Sequence, residues 1–534
     1  MTTLPVGERS PAPWLVLTLG VALFGARLLA AHFMYFFQND ELSLAAGVAA
    51  LVQHNALSDT YRYGPQVGYH RLVQAIVTLL GNPSRIPHVM ITLSALSGAV
   101  IPCCGLLMFP AVLRMRERWV LFALLAINPI LWMSSTYGNS TMPATMLLVV
   151  AVTMLSRAPS PMLETLALAL FGAGIVVRAD TFLASPAIGL LLWQRYGRIA
   201  PVARRVVPLG VGMVAVYALL FAIDPRMASS VHDVGDHLTN AYPTRFWEYL
   251  LWSMSPVVLL CGVVGLTELS AARRALLAVL VMWVAPFVVF YFSATTTPRY
   301  FVPSIVPLVV LASVGAVALP RLLVPSATRL AGVALGLVLA APLFIGLGWY
   351  APTSWKTRLT QAEFETQVGP MWTGAFLYKS YLRPGFLVRS VNNPGFGRAN
   401  LTEHAIDSSL VAVAAGAARG HTIVVLQGGW NGHMIHYYAN LRGATYTSQG
   451  RGASLNRESW MTLGGARLMA ISRDIPEFRA MRSLPLADGD QLWSMSSQPG
   501  DADGLLPLLP ARARLELVSA DGRPVRQYVV HVTP

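Results

Sequence analysis

The sequence predicts a polytopic α-helical membrane protein. About eleven transmembrane helices, an inside N-terminus and a C-terminal extracytoplasmic α/β domain make up the expected architecture. Three observations predict it. Charged residues make up only 12% of the 534 positions, about half of what a soluble domain carries. Apolar runs follow one another through residue 349. Arginines alternate between the loops that join those runs. Such a composition disfavours a soluble enzyme, a disordered chain and a nucleic-acid binder. The net charge of +14 is better read as loop arginines that orient helices than as a nucleic-acid surface. Three cysteines, all in apolar runs, offer no disulfide framework and no zinc-binding spacing.

A bilayer core takes about 20 apolar residues per helix. The first run, Pro13–Phe33, is too long for a signal-peptide core and reads as a retained anchor. Further runs cover 86–112, 119–134, 143–156, 161–177, 181–194, 206–223, 248–266, 276–292, 300–318 and 330–349. With an inside start, the inner loops hold 13 arginines and the longer outer loops before residue 350 hold seven. The positive-inside rule then places the chain after Tyr350 outside. Eight of the twelve acids in residues 1–349 fall on the outer side. Topology does not require that bias, so it points to chemistry at the outer face.

Two domains follow: a membrane domain over 1–349 with a long first outer loop, 34–85, and an external α/β domain over 350–534. Within the first outer loop, 42–52 and 72–80 are too short to span and read as helices lying along the membrane surface. In the external domain the pattern predicts a helix over 410–419 and a buried strand over 422–426. A Gly-rich turn and a helix through Asn440 come next, then strands at 466–472, 491–496, 513–519 and 526–532. No internal repeat is present, which disfavours transporter folds built from inverted halves.

Several polar groups interrupt the outer boundaries. Asp40 and Glu41 directly follow the first helix. They read either as interfacial polarity or as a general base, since an acceptor hydroxyl needs a carboxylate to take its proton. Arg299 and Tyr300 precede another apolar run. Arg299 is either a snorkelling cation or a bidentate clamp for a lipid-linked phosphate. His70 and Arg71 are either an interfacial anchor or a further phosphate contact. Arg178 and Asp180, two apart on an outer turn, either neutralise each other or support a site. His232, Asp233, Asp236 and His237 would bind a divalent metal only if helical, and Gly235 argues against a helix there.

Together these features resemble the glycosyltransferase C superfamily, specifically its protein O-mannosyltransferase and lipid A aminoarabinose transferase branch. Asp40-Glu41 stands after the first helix, as in that branch. Arg178-Ala-Asp180 with Pro186 resembles its Arg-x-Asp/Glu segment, and Pro298-Arg299-Tyr300 with Pro303 and Pro307 its Pro-Arg-Tyr-x-x-Pro segment. The resemblance implies a sugar donor on a polyprenyl phosphate and an extracytoplasmic glycan, lipid or protein acceptor. It implies a multi-pass protein of the bacterial inner membrane. Asp40 would be the catalytic carboxylate, supported by Glu41, and Arg299 the phosphate ligand. No cofactor is required, because a phosphate balanced by Arg299 is already a good leaving group. One departure stands out. Relatives often carry a second acid in the second outer loop, which here reads Ser135-Thr-Tyr-Gly-Asn-Ser140. Asp180 or Asp233 would have to substitute. The competing readings are a transporter or flippase without chemistry, and a ligase or polymerase of larger lipid-linked glycans.

Overall fold

The computed structural model describes residues 11–33, 39–53, 63–157, 160–224, 227, 254, 256–294, 301–347, 406–427, 432–449, 459–472, 483–494, 508–519 and 526–533. These fall into two compact units. One is drawn from Met1–Tyr35, Met90–Ile223 and Leu238–Asn393, the other from Phe36–Val89, Asp224–His237 and Pro394–Pro534. The first unit is helical, and the second joins the first-loop helices to a mixed sheet.

In the helical unit the apolar runs become α1 (Pro13–Phe33), α4 (Ile86–Leu107), α5 (Met115–Ile127), α6 (Pro129–Ser134), α7 (Thr141–Ser156), α8 (Pro161–Val177), α9 (Ser185–Tyr196) and α10 (Ile199–Ile223). Helices Pro256–Ala272, Arg274–Ala294, Val302–Leu323 and Thr328–Leu347 follow. The expected run over 119–134 is broken. Pro129 has no N–H to continue the ladder, and the Asn128 Oδ1 accepts from the amides of Ile130 and Leu131, both at 3.1 Å, to start α6. The 181–194 run begins as a 3₁₀ turn, Ala179–Ala184, before α9. Among the described residues three helices are long and apolar enough to cross a membrane: Pro83–Leu107, Ile199–Ile223 and Val302–Leu323. Six shorter apolar helices accompany them. Val302–Leu323 is central and mostly buried, whereas α10 buries no residue, as a lipid-facing helix does.

The arginine-rich loops gather at one end of this unit. The Phe109 amide donates to Ser156 Oγ at 3.0 Å, which puts the ends of α4 and α7 together. At that end Arg273 grips the buried Glu117 with two bonds of 2.7 and 3.0 Å. Glu164, fully buried in the first turn of α8, takes Arg195 at 3.3 Å, Arg205 at 3.1 Å and the Tyr196 hydroxyl at 2.9 Å. Each buried carboxylate is therefore paired, as burial demands.

Helices Pro256–Ala272 and Val302–Leu323 touch backbone to backbone. A Cβ on Gly265 would strike the Leu311 carbonyl, and one on Gly315 would strike the Cys261 carbonyl. Small residues permit this approach where apolar lipid gives helices no hydrophobic drive to associate. Backbone atoms cannot swing aside as side chains do. Gly315→Ala is therefore expected to destabilise the helical unit by about 1–3 kcal/mol, the cost of overpacking a tight core. A lowered melting temperature of the purified protein in detergent would register it, with Gly332→Ala, which has open space around it, as the silent control.

The second unit contains α2 (Asn39–Val52), α3 (Val67–Leu79), a helix over 406–414 and the helix Gly432–Leu441. Its sheet has seven strands in the order β2-β3-β4-β1-β5-β7-β6. These are β1 (Thr422–Gln427), β2 (Thr445–Gln449), β3 (Ser459–Leu463), β4 (Ala466–Ser472), β5 (Gln491–Ser494), β6 (Ala513–Ser519) and β7 (Arg526–Val532). β1 runs parallel to β4 and β5, and the remaining pairs are antiparallel. Val424, Leu426, Met469, Ile471, Leu492 and Val530 form its core. α3 buries one face only, as the surface-helix reading requires. α2 departs from that reading. Leu44 through Leu51 are buried on every side, because an Ala-rich helix with no polar face from Ala45 onward is best enclosed by protein.

Candidate functional site

In the helical unit, the end opposite Glu117 and Glu164 holds a polar cluster built on two turns. Asn139 organises the first. Its Nδ2 donates to the carbonyls of Ser134 at 2.6 Å and Tyr137 at 3.1 Å, and its Oδ1 accepts the Met142 amide at 3.0 Å. The second turn starts at Arg178, which leaves α8 in an extended conformation. A cation is favoured there by the negative end of the helix. Arg178 Nε meets Asp180 Oδ2 at 2.8 Å, both side chains being largely buried. Arg178 Nη1 donates to Ser140 Oγ at 3.3 Å. Arg178 and Asp180 do pair with each other, and the pair is also tied to the 135–140 turn, the loop that lacks an acid of its own. Among the described residues of this unit, the other carboxylates, Glu117, Glu164 and Glu268, sit at the arginine-rich end.

Sequence reasoning passed over Arg27. This cation is fully buried within α1. It donates to Ser135 Oγ at 2.5 Å and to the carbonyls of Ala126 at 3.3 Å and Leu131 at 3.4 Å, and lies 4.8 Å from the Trp132 ring centroid. The Ala126 carbonyl lies in the last turn of α5, where carbonyls run out of intrahelical donors, and the Leu131 carbonyl accepts Arg27 beside the Ser135 amide at 3.1 Å. Arg27 thus props the turn that Arg178 holds from the other side. An arginine inside an apolar run is the signal that marks it.

In the second unit, His70 and Arg71 converge on Tyr63 and Asp224. Tyr63 precedes a 3₁₀ turn, Gly64–Gln66, that leads into α3. Its hydroxyl donates to Asp224 Oδ2 at 2.7 Å. Arg71 Nη2 reaches the same oxygen at 3.0 Å, while Nη1 donates to Gln74 Oε1 at 3.0 Å. The His70 ring is buried edge-on to Tyr63 at 5.4 Å, and its Nδ1 bonds the Gln66 carbonyl at 3.0 Å. A carbonyl only accepts, so that nitrogen carries the proton. Arg71 keeps 42% of its side chain exposed, so it can still meet a ligand. Asp224 and Tyr63 are the residues that sequence reasoning left out of the site. An acid closing a long apolar run was the available signal.

Asp40 and Glu41 occupy the first turn of α2, and their side chains lie outside the described residues. Arg299, Tyr300, Asp233 and the remaining 232–237 residues also lie outside them. Among the described residues no group of three or more His, Cys, Asp or Glu could hold a metal.

His436, buried in the Gly432–Leu441 helix, bonds Tyr446 through Nδ1 at 2.8 Å and stacks on its ring. Burial pushes the imidazole down to about 4. The ring is thus neutral when folded and takes up a proton more readily when unfolded. Its contribution is complete above the unfolded value of about 6.5 and is lost as pH falls towards the folded value. Between those values the second unit should weaken by about 1.4 kcal/mol per pH unit. Protease resistance of the C-terminal segment on the full chain, followed from pH 7 to pH 4.5, measures this. His436→Phe should flatten the dependence.

No family model matches the chain, and no curated protein matches it. Solved structures do. ArnT of Cupriavidus metallidurans bound to undecaprenyl phosphate aligns with a TM-score of 0.61 at 15% identity, over 98% of this chain and 99% of that one. The apo form of the same enzyme aligns at 0.60 and 14%, over 98% of each. An Archaeoglobus fulgidus oligosaccharyltransferase aligns more weakly, at 0.48 and 11%, over 80% of this chain and 64% of that one. The chain has the glycosyltransferase-C fold, from the helical unit through the C-terminal sheet.

Proposed function

We propose that this chain is a membrane glycosyltransferase that moves a sugar from a polyprenyl-phosphate donor to an extracytoplasmic glycan, lipid or protein acceptor. The observation that supports it most is the end-to-end alignment with a glycosyltransferase-C structure that holds undecaprenyl phosphate. That alignment spans 98% of this chain. Fold alone does not fix chemistry, so the residue pattern must supply the rest.

The proposed chemistry needs three things at one membrane face. Asp40 takes the proton of the acceptor as the nucleophile attacks the anomeric carbon, and Glu41 supports it. The bond from that carbon to the phosphate oxygen breaks, and the polyprenyl phosphate leaves with its electron pair. Arg299 and Tyr300, with His70 and Arg71, hold the phosphate. Arg71 does so as one partner of Asp224, which tempers its charge and fixes its direction. Arg178 and Asp180, or Asp233, are the residues proposed to support the acceptor. The leaving phosphate is balanced by cations, so this chemistry needs no metal.

In this reading the enzyme resides in a bacterial inner membrane, with residues 1–349 as the membrane domain and 350–534 outside. The clustering of Arg195, Arg205 and Arg273 at one end of the helical unit supports that orientation, with that end in the cytoplasm. Incubating the purified protein with a panel of polyprenyl-phosphate sugars tests the function. Release of free polyprenyl phosphate from at least one donor is expected when a cell-envelope acceptor extract is added. No release from any donor, together with movement of a labelled lipid-linked sugar across proteoliposomes, would replace it with a flippase.

A further inference from the structure

The enclosed helix α2 carries Asp40 and Glu41 in its first turn, yet it has little of its own to fix its position. From Ala45 to Val52 it presents no polar side chain. Ala45, Ala46, Gly47, Ala49 and Ala50 make a smooth surface that neighbouring helices approach closely, and smooth apolar surfaces tolerate small slips and rotations. Two side-chain amides of the same unit supply the missing specificity. Gln74 of α3 donates to the Leu51 carbonyl at 3.2 Å. Asn440 of the Gly432–Leu441 helix donates to the Ala46 carbonyl at 3.3 Å.

The two bonds differ in kind. Leu51 lies in the last turn of α2, where carbonyls have no intrahelical donor, so Gln74 acts as an ordinary cap. Ala46 lies mid-helix, so its carbonyl already serves the helix and takes Asn440 on its second lone pair. That bond caps nothing and instead fixes where the helix is. Asn440 is itself fully buried. Its Nδ2 also lies 3.5 Å from the Tyr446 hydroxyl, which His436 engages from one turn earlier. His436 and Asn440 are four apart and share a helix face. The donor is thus oriented by a second set of contacts.

We propose that Asn440 is a positioning residue for sugar transfer: it pins α2 at Ala46 and thereby holds the Asp40–Glu41 turn in place. This rests on the transfer reading above. Ala46 is six residues from Asp40, or about 9 Å along a helix, and Leu51 is eleven, or about 16 Å. Without the nearer pin, α2 pivots about the farther one, and the acidic turn moves most. Misplacement by about 1 Å can cost on the order of 10²-fold in rate.

The test uses the full-length protein in detergent or nanodiscs. Asn440→Leu keeps the side-chain size and removes the donor. It is expected to lower kcat about tenfold or more while the donor KM stays within about twofold. Amide hydrogen exchange in residues 44–52 should rise by a similar factor, with strands β1 and β4 keeping wild-type protection. A KM–kcat split of this kind separates positioning from a general loss of fold. If Asn440→Leu does not fold, Asn440→Ser, too short to reach Ala46, is examined for the same readouts. A folded variant with wild-type kcat overturns the proposal, as does a raised KM with unchanged kcat, or a loss of protection in β1 and β4 equal to that in α2. A wild-type protein inactive with every donor overturns the transfer reading itself. Normal transfer by wild type beside an unaffected variant overturns only the positioning role.

Discussion

Asp40→Asn is expected to abolish sugar transfer and to leave donor binding intact. Asparagine keeps the size of the side chain and can accept a hydrogen bond, but it cannot take a proton from the acceptor. General-base catalysis contributes about 10²–10⁴-fold, so the loss should reach at least that range. Glu41→Gln should be milder. The two acids are consecutive in the first turn of α2, and Glu41 is proposed only to support the base. Single-turnover transfer with a competent donor, beside donor affinity measured separately, makes the distinction. A dead Glu41→Gln beside a normal Asp40→Asn would swap the roles. Full activity in both would move the base elsewhere, and Asp180 would be the first alternative. It is held beside the acid-free 135–140 turn through Arg178 and Ser140.

Much of the fold was legible because single-residue physics dictates it. The first helix has the predicted bounds, Pro13–Phe33, and β4, β6 and β7 coincide with the predicted strands. Apolar runs ended by arginines or prolines leave few alternatives in a membrane. β2 and β3 were missed. Their sequences, TYTSQ and SWMTL, lack a strong apolar alternation, and they form by pairing along the β4 edge. Pairing across a sheet is a tertiary fact that a local pattern does not contain.

The candidate site was legible only in pieces. Arg178 and Asp180 are two apart, and their pairing could be read from spacing alone. Arg71 finds its partner, Asp224, 153 residues away. Asn440 reaches α2 across 394 residues. No periodicity encodes such distances. The environment of α2 was misjudged for the same reason. Its apolar stretch is equally suited to a lipid surface or a protein interior, and only the approach of the Gly432–Leu441 helix decides between them.

Arg299→Ala is expected to weaken binding of the polyprenyl-phosphate donor strongly while the protein still folds. Arg299 precedes the helix Val302–Leu323 by three residues. A guanidinium meets two phosphate oxygens at once, and losing such a charge-assisted contact should cost about 2–4 kcal/mol. That corresponds to about a 30- to 1,000-fold rise in donor Kd. Arg299→Lys keeps the charge without the planar fork and should recover only part of the affinity. A snorkelling arginine predicts another pattern: Lys would replace it fully, since any long cation reaches the interface. Titration of the donor into the three proteins separates the readings, and unchanged affinity in Arg299→Ala would remove the phosphate-clamp role. Arg71 would then be the stronger candidate, because its side chain remains 42% exposed while anchored to Asp224.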